Sequence, residues 1–181
     1  MPPISKNNPL YFITSVTHNR LPVFRTGKLK ELICQAFSES RNSAGFLIFS
    51  YVVMSDHFHI ITDSKLNQSE TLRYLNGISA RRVIGYLKEN GFETSLLKLR
   101  TETKDRGYKH SLWEHHSNTF EIKTEEVLMQ KVNYIHQNPV EEGLCERPKE
   151  YRWSSYRFWK RSMLENEPLR VDIEKIEWRQ R

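Results

Sequence analysis

Residues 46–54 read FLIFSYVVM, an almost unbroken apolar run rich in β-branched and aromatic side chains. Such a run predicts a central β-strand covered on both faces, because a half-exposed strand would alternate with polar residues. Ser55 and Asp56 interrupt the run as a turn, and residues 57–62 predict the antiparallel partner strand of a tight hairpin.

The partner strand begins with His57, Phe58 and His59. Successive side chains of a strand point to opposite faces, so the two imidazoles share one face and Phe58 takes the other. Two neighbouring imidazoles can bind one metal ion, but two half-buried histidines can also be satisfied by nearby carbonyl groups. The pair by itself leaves both a metal site and a structural role open.

The rest of the chain alternates between strand and helix patterns. It predicts a strand at 10–17, helices at 27–40, 68–89 and 124–138, and two short strands at 111–122 joined around Ser117 and Asn118. Pro139 is expected to stop the last helix, and residues 92–110 carry only a weak signal. Helices that alternate with strands and a tight hairpin indicate an α+β class with an antiparallel or mixed sheet.

Length and composition indicate a globular chain whose 181 residues form one domain or one domain with an appendage. Cys34 and Cys145 stand far apart without metal or redox spacing, so we expect a reducing, cytoplasmic location. No apolar run approaches the ~20 residues of a membrane span. The opening stretch, MPPISKNNPL, also lacks the order of a signal peptide. These features predict no membrane association.

The net charge of +6 and the sequence pI near 9.3 suit an anionic partner such as nucleic acid, or a merely soluble basic surface. Residues 151–161, YRWSSYRFWKR, combine five aromatic and four basic residues without an acidic one. Interleaved aromatics and cations suit single-stranded DNA, because bases stack on the rings and cations contact phosphates. Trp153 and Tyr156 can equally cap the core. The four cations are expected to face outward: Arg152, Arg157, Lys160 and Arg161.

The helix before Pro139 carries two different faces. Residues spaced four and three apart form its core face: Leu128, Val132 and Ile135. Polar and aromatic residues form a neighbouring stripe: Lys131, Tyr134 and Asn138. Tyr134 can be an ordinary residue at the core edge, and Asn138 an ordinary residue before a proline. The stripe alone does not establish a site.

Four short motifs follow one another along the chain: MSDHFH at 54–59, LW at 112–113, YIxxNPVxxGL at 134–144 and YxWSSY at 151–156. In this order they closely resemble the REP-associated tyrosine transposases, which are relatives of the single-tyrosine insertion-sequence transposases. Both groups belong to the HUH nucleases, named for the pattern histidine-hydrophobic-histidine. The resemblance spans roughly residues 10 to 160 and is specific because all four motifs are in register.

The resemblance implies a ferredoxin-like α+β fold, an antiparallel sheet with helices packed on it and the HUH motif on a central strand. It implies one HUH transposase domain at 1–163 and a C-terminal tail at 164–181. Carried over residue by residue, it implies two metal ligands on the strand, a nucleophile on a helix and a third ligand one turn later: His57, His59, Tyr134 and Asn138.

The implied activity is that of a transposase-type endonuclease and strand transferase, which cleaves and rejoins single-stranded, hairpin-containing DNA through a covalent 5′-phosphotyrosine. The implied cofactor is Mg²⁺ or Mn²⁺, although imidazole and amide ligands also suit zinc. Single-stranded or hairpin DNA is the expected partner, with a homodimer left open. Basic residues are expected to bind the DNA: Lys131, Arg81, Arg82, Arg152, Arg157, Lys160 and Arg161.

The chain departs from the family pattern at two places. Asp56 stands where the family usually has asparagine, and Glu141 and Glu142 stand where it often has a basic residue. Both departures change the charge near the expected metal, although neither removes a catalytic group.

Two alternatives remain open at this point. A rolling-circle or relaxase-type nuclease shares the core, but its helicase-like or mobilisation parts have no room in this chain. The alternative from another class is a non-catalytic regulatory module that binds DNA hairpins with the same fold. Such a binder has no need of Tyr134 and both histidines.

Overall fold

A four-stranded antiparallel sheet is covered by helices on both faces. The computed structural model describes residues 9–102 and 107–176. The strands are β1 (Leu10–Val16), β2 (Ile48–Val53), β3 (His57–Asp63), β4 (Arg100–Glu102), β5 (Tyr108–His110) and β6 (Asn118–Ile122). The helices are α1 (Gly27–Ala44), α2 (Gln68–Glu89), α3 (Glu93–Lys98), α4 (Glu125–Glu141) and α5 (Tyr156–Trp159). In this described part of the chain, no helix has both the length and the apolar character needed to cross a membrane.

The strands of the main sheet lie in the order β2-β3-β1-β6, and every neighbouring pair is antiparallel. Helix α1 lies between β1 and β2 in the chain, and α2 lies between β3 and β6, so the sheet elements follow as β-α-β-β-α-β. This is the ferredoxin-like arrangement, and it confirms the expected α+β class with an antiparallel sheet. Strands β4 and β5 pair separately as a small hairpin.

Strand β3 lies inside the sheet, between β2 and β1. Phe58 points to the face covered by α1 and α2, where its ring centroid lies 4.8 Å from that of Phe37 and 5.0 Å from that of Trp113. Ile61 points to the other face and packs with the core residues of α4. Because side chains alternate along a strand, His57 and His59 share that second face.

Strand β2 is an edge strand, although its apolar sequence predicts a central one. All six of its residues are buried because residues 153–155 run along its outer side. The amide of Val53 donates to the carbonyl of Trp153 at 2.9 Å, and the amide of Ser155 donates to the carbonyl of Tyr51 at 3.0 Å. The apolar sequence of β2 therefore reflects burial of both faces and of the outer edge, and does not indicate a central position in the sheet.

Helix α4 does not stop before Pro139 but continues to Glu141. A proline removes one N–H donor from the helix, and here the helix ends within the next turn, so little of its hydrogen bonding is lost. Glu142 donates its amide hydrogen to the carbonyl of Asn138 at 3.0 Å, and Gly143 then takes a left-handed conformation with φ of 70°.

The region before β6 also differs from expectation. Residues 111–122 contain one strand, β6, and not two, while the residues before it are irregular. Trp113 forms only an isolated bridge to Thr17, and its indole nitrogen donates to Ser79 Oγ at 2.9 Å. The apolar residues before β6 therefore reflect burial of Trp113 in the core and not a second strand. Part of the weak stretch at 92–110 forms α3 and the β4–β5 hairpin, and residues 103–106 lie outside the described residues.

The segment expected to be a C-terminal tail contributes to the core over its described part. Leu169 and Val171 are buried in the cluster beneath α1 and α2. The amide of Asp172 donates to the carbonyl of Ile48 at 2.7 Å, and its carboxylate accepts from the amide of Ile48 at 3.0 Å. Residues 177–181 lie outside the described residues.

Arg157 is buried, in contrast to the expectation that it faces outward. Its Nε lies 2.9 Å from Glu167 Oε1, whose side chain is also buried, and a terminal nitrogen donates to the carbonyl of Lys149 at 3.1 Å. A buried guanidinium is retained only where such partners satisfy it. Arg157 therefore joins α5 to the C-terminal segment and does not belong to an exposed basic surface.

This role can be tested by stability. We expect Arg157→Ala to lower the free energy of unfolding by about 3–5 kcal/mol, because the carboxylate of Glu167 would be left buried without its partner. Urea unfolding followed by circular dichroism measures the change. Lys160→Ala, on an exposed residue of the same segment, is expected to stay within about 0.5 kcal/mol of the parent chain. Equal stabilities for the two variants would contradict the buried role.

Candidate functional site

A cleft of about 560 Å³ opens beside α4, on the face of the sheet that carries the two histidines. It brings together all four residues that the motifs single out as ligands and nucleophile, and Lys131 with them. The other lining residues come from β1, from the segment after it, from β6 and from the end of α4: Phe12, Thr14, Val16, Arg20, Asn118 and Glu142.

His57 is held by its Nδ1 edge. Asp56 Oδ1 lies 2.6 Å from this nitrogen and, because a carboxylate only accepts, the imidazole donates there. Asp56 is itself 3.4 Å from the guanidinium of Arg20. The opposite nitrogen, Nε2, lies 3.2 Å from Asn138 Oδ1. When the proton of the imidazole is on Nδ1, His57 Nε2 and Asn138 Oδ1 face each other with their lone pairs. A cation between the two atoms stabilises this arrangement.

His59 is held in the same way from β1. Thr14 stands opposite His59 in the β1–β3 register, and its Oγ1 lies 2.7 Å from Nδ1. The ring of Phe12 stacks on the imidazole with centroids 5.3 Å apart. Burial, then His57 and then Lys131 lower the pKa of His59 to about 3. His59 is therefore neutral at physiological pH, which is the protonation state that a metal ion requires of imidazole.

Tyr134 lies at the mouth of the cleft with 42% of its surface exposed. Its ring centroid is 5.1 Å from that of His59 and 6.0 Å from that of Phe12, both in edge-on geometry. The ammonium of Lys131 lies 4.8 Å from the ring centroid of Phe12 and 5.9 Å from that of Tyr134. The stripe read from the sequence thus brings a phenol, an ammonium and an amide to one wall of the cleft.

Other tyrosines considered in the sequence are placed differently. Tyr51 is fully buried in β2. The hydroxyl of Tyr151 is also buried and donates to the carbonyl of Val53 at 2.7 Å, and burial raises its pKa beyond that of an ordinary tyrosine. Tyr156 packs edge-on against His136, away from the cleft lining. Of these, Tyr134 is the one that combines exposure with proximity to the paired imidazoles.

The donors fit a divalent ion held by few protein ligands. Both Nδ1 atoms are engaged by neighbouring side chains, so the remaining Nε2 atoms and Asn138 Oδ1 are the atoms that could bind metal. Within residues 9–102 and 107–176, no three His, Cys, Asp or Glu side chains form a ready cluster for a metal. A site built on two imidazoles and an amide would leave positions for water or phosphate oxygens.

Most of the basic residues expected to bind DNA lie elsewhere. Arg81 and Arg82 extend from α2, on the opposite side of the sheet, and both pair with Glu39. Arg152 donates to the carbonyl of Asn166. Lys160 and Arg161 are exposed at the end of α5, and Arg157 is buried as described above. Lys131 is the only one of the seven expected residues that lines the cleft.

Sequence reasoning missed the supporting residues from β1. Thr14 and Phe12 reach the cleft because the β1–β3 register sets them beside His59. A single sequence gives no signal for that register. Arg20 was also missed, and it enters through a turn whose residues Asn19 and Arg20 both have positive φ values. Asp56 was predicted as a turn residue and noted as a departure from the family pattern, but its contact with His57 Nδ1 was not predicted.

Comparison with known proteins places this geometry in context. Residues 5–138 match the family model described as IS200-like transposase, a span that includes both histidines, Tyr134 and Asn138. None of the curated proteins compared with the chain matches it.

Two solved structures are similar to the chain in fold. One is a REP-associated tyrosine transposase bound to a REP hairpin, with 16% identity, a TM-score of 0.62, and coverage of 94% of this chain and 89% of that one. The other is a candidate transposase from Deinococcus radiodurans R1, with 18% identity, a TM-score of 0.50, and coverage of 71% and 88%. Since the family match spans well over half of its length, the chain belongs to the IS200-like transposase family.

Proposed function

We propose that this transposase cleaves and rejoins single-stranded DNA, with Tyr134 as the nucleophile and His57, His59 and Asn138 as ligands of a divalent metal ion. One observation carries the proposal. The exposed phenol ring of Tyr134 lies 5.1 Å from the ring of His59, in the same cleft in which Asn138 Oδ1 faces His57 Nε2 at 3.2 Å. A nucleophile and a set of metal donors therefore share one accessible cleft.

The chemical step exchanges one phosphate ester for another. Tyr134 Oη attacks the scissile phosphorus, the bond from phosphorus to the 3′-oxygen breaks, and the 3′-oxygen leaves and takes up a proton. The phenol gives its proton to solvent. The product is a 5′-phosphotyrosine and a free 3′-hydroxyl. A second 3′-hydroxyl then attacks the phosphotyrosine and releases the phenol, so rejoining needs no nucleotide cofactor.

The surrounding side chains prepare this step. A phenol is only about 0.1% ionised at neutral pH, so attack requires help with negative charge. Lys131 brings a cation to the wall that carries Tyr134 and can contact a phosphate oxygen there. Asp56 and Thr14 fix the two imidazoles through their Nδ1 atoms. A divalent ion bound by the proposed ligands would polarise the scissile phosphate.

The mouth of the cleft suits unpaired nucleotides. Phe120 of β6 has 48% of its surface exposed, and the ammonium of Lys131 lies 5.4 Å from its ring centroid. With the exposed ring of Tyr134, these residues offer flat surfaces and a positive charge, which single-stranded DNA binding uses. The structurally similar REP-associated transposase is bound to a REP hairpin. We extend this to the present chain and propose DNA with a hairpin next to a single-stranded cleavage site.

The first test identifies the nucleophile. Tyr134→Phe removes one hydroxyl and keeps the ring, so folding and DNA binding are expected to persist while the covalent adduct disappears. Hairpin DNA with a single-stranded flank is incubated with Mn²⁺ and separated on a denaturing gel. A 3′ label should move with the protein and a 5′ label should not, because a 5′-phosphotyrosine retains the downstream strand.

Tyr156→Phe is the matched control, because Tyr156 lies on α5 and does not line the cleft. It is expected to form the adduct at the parental rate. An adduct that survives in Tyr134→Phe, or that carries the 5′ label, would contradict the proposed nucleophile or the polarity of cleavage. Intact DNA binding without any adduct from the parent chain would favour the non-catalytic binding module.

The second test concerns the metal ligands. We expect His57→Ala and His59→Ala each to reduce adduct formation by at least a hundredfold, and EDTA to abolish it in the parent chain until Mn²⁺ is restored. His110→Ala, on β5 and not among the residues that line the cleft, should retain parental activity. Full cleavage in EDTA, or in the double variant of both cleft histidines, would refute metal dependence.

A further inference from the structure

Glu142 places a carboxylate next to the donors already described. Among the described residues that line the cleft it alone is acidic, and its Oε1 lies 3.9 Å from His57 Nε2. Asp56 contacts the same ring at the other nitrogen, Nδ1, at 2.6 Å. The two carboxylates near His57 therefore serve different edges of the imidazole. Asp56 orients the ring, and Glu142 stands on the side that faces Asn138.

We propose that Glu142 is an additional ligand of the divalent ion, beside His57, His59 and Asn138, and that it directs the site toward Mn²⁺ or Mg²⁺. The inference rests on the proposed function, because it takes the two histidines as ligands. It adds a residue that neither the motifs nor the stripe of Lys131, Tyr134 and Asn138 assigns to the metal.

The distances allow a shared ion. Two atoms that each bind one ion at about 2.1 Å can lie no more than about 4.2 Å apart. Both measured separations from His57 Nε2 fall within this limit, 3.2 Å to Asn138 Oδ1 and 3.9 Å to Glu142 Oε1. No ready three-ligand cluster of His, Cys, Asp or Glu is formed by the described residues. The proposal therefore requires the half-exposed carboxylate of Glu142 to rotate toward the two histidines when the ion binds.

The backbone already holds Glu142 in the required place. It follows Asn138 by four residues, and its amide donates to the Asn138 carbonyl at 3.0 Å, so both side chains belong to one face of the helix end. The amide of Leu144 donates to the carbonyl of Pro139 at 2.8 Å, and Gly143 adopts its left-handed conformation between them. The proposed ligation by Glu142 therefore requires a side-chain rotation and no change in this backbone.

The charge balance of the site also favours a carboxylate ligand. Imidazole and amide ligands bring no negative charge to a divalent ion, and the ammonium of Lys131 adds a positive charge to the same cleft. A carboxylate offsets part of this charge. Carboxylate oxygen also suits Mg²⁺ and Mn²⁺, whereas imidazole nitrogen alone suits zinc and other later transition metals.

Metal binding without DNA tests the proposal. Mn²⁺ is titrated into the full metal-free chain, and the free ion is followed by its electron paramagnetic resonance signal. We expect one bound ion, with an affinity at least tenfold lower in Glu142→Gln than in the parent chain. Zn²⁺ affinity, measured by competition, should fall less. Glu141→Gln is the matched control, since Glu141 is exposed on α4 and does not line the cleft.

The outcomes separate this inference from the proposed function. Parental Mn²⁺ affinity in Glu142→Gln, with binding lost in His57→Ala, would overturn the role of Glu142 and leave the histidine site intact. Equal losses in Glu141→Gln and Glu142→Gln would also overturn it, because they would show a general charge effect. Binding that persists without both cleft histidines would refute the proposed metal site itself. Thermal unfolding confirms that each variant is folded.

Discussion

The contact of Phe58 with Phe37 and Trp113 fixes the geometry on which the rest of the structure depends. These rings meet edge-on beneath α1 and α2, at centroid distances of 4.8 and 5.0 Å. Aromatic pairs of this kind contribute about 0.5–1.5 kcal/mol beyond the burial of their surface. Because neighbours on a strand point to opposite faces, burying Phe58 on one side commits His57 and His59 to the other. One packing preference thus sets both the register of the core and the direction of the imidazoles.

Helix α4 supplies the second half of the site, and burial of its apolar face positions it in the same way. Leu128, Val132 and Ile135 are fully buried against the sheet, which fixes the rotation of the helix about its axis. The adjoining stripe then lies along the cleft, so Tyr134 and Asn138 reach the imidazoles of β3. Precise placement of a nucleophile matters because small displacements reduce catalysis strongly. For Tyr134, the proposed nucleophile, two apolar surfaces provide that placement, one on β3 and one on α4.

Burying two imidazoles beneath a helix removes their polar atoms from water, and neighbouring side chains in the structure compensate for this loss. Burial lowers the pKa of His59 to about 3, so the ring is kept neutral, and Thr14 satisfies its Nδ1. A similar solution appears on α4, where buried His136 lies 3.0 Å from Ser155 Oγ and burial lowers its pKa to about 3. His59 and His136 differ in what lies on the other side of the imidazole ring. His59 faces an open cleft, whereas His136 faces the rings of Tyr156 and Trp159.

Local signals in the sequence predicted part of this arrangement well. Helix α2 has the bounds expected from its periodicity, and the structure adds the capping residue Asn67, which accepts from the amide of Glu70 at 2.9 Å. The hairpin and the stripe of α4 follow from spacing alone. Features that depend on distant partners were missed. Arg157 is predicted at the surface because no local signal in the sequence reveals Glu167 beside it. Strand β2 is predicted at the centre of the sheet because its residues are all apolar enough to be buried, and the sequence does not show that residues 153–155 cover its edge.

We propose that the imidazoles of β3 and the phenol of α4 form one metal-assisted centre. The most direct test is anomalous diffraction from crystals of the full chain grown with Mn²⁺. We expect a single strong anomalous peak within about 2.5 Å of the Nε2 atoms of both His57 and His59, in the cleft that Tyr134 borders. An ion bound elsewhere, or contacts only to Nδ1 atoms or to Asp56, would contradict it.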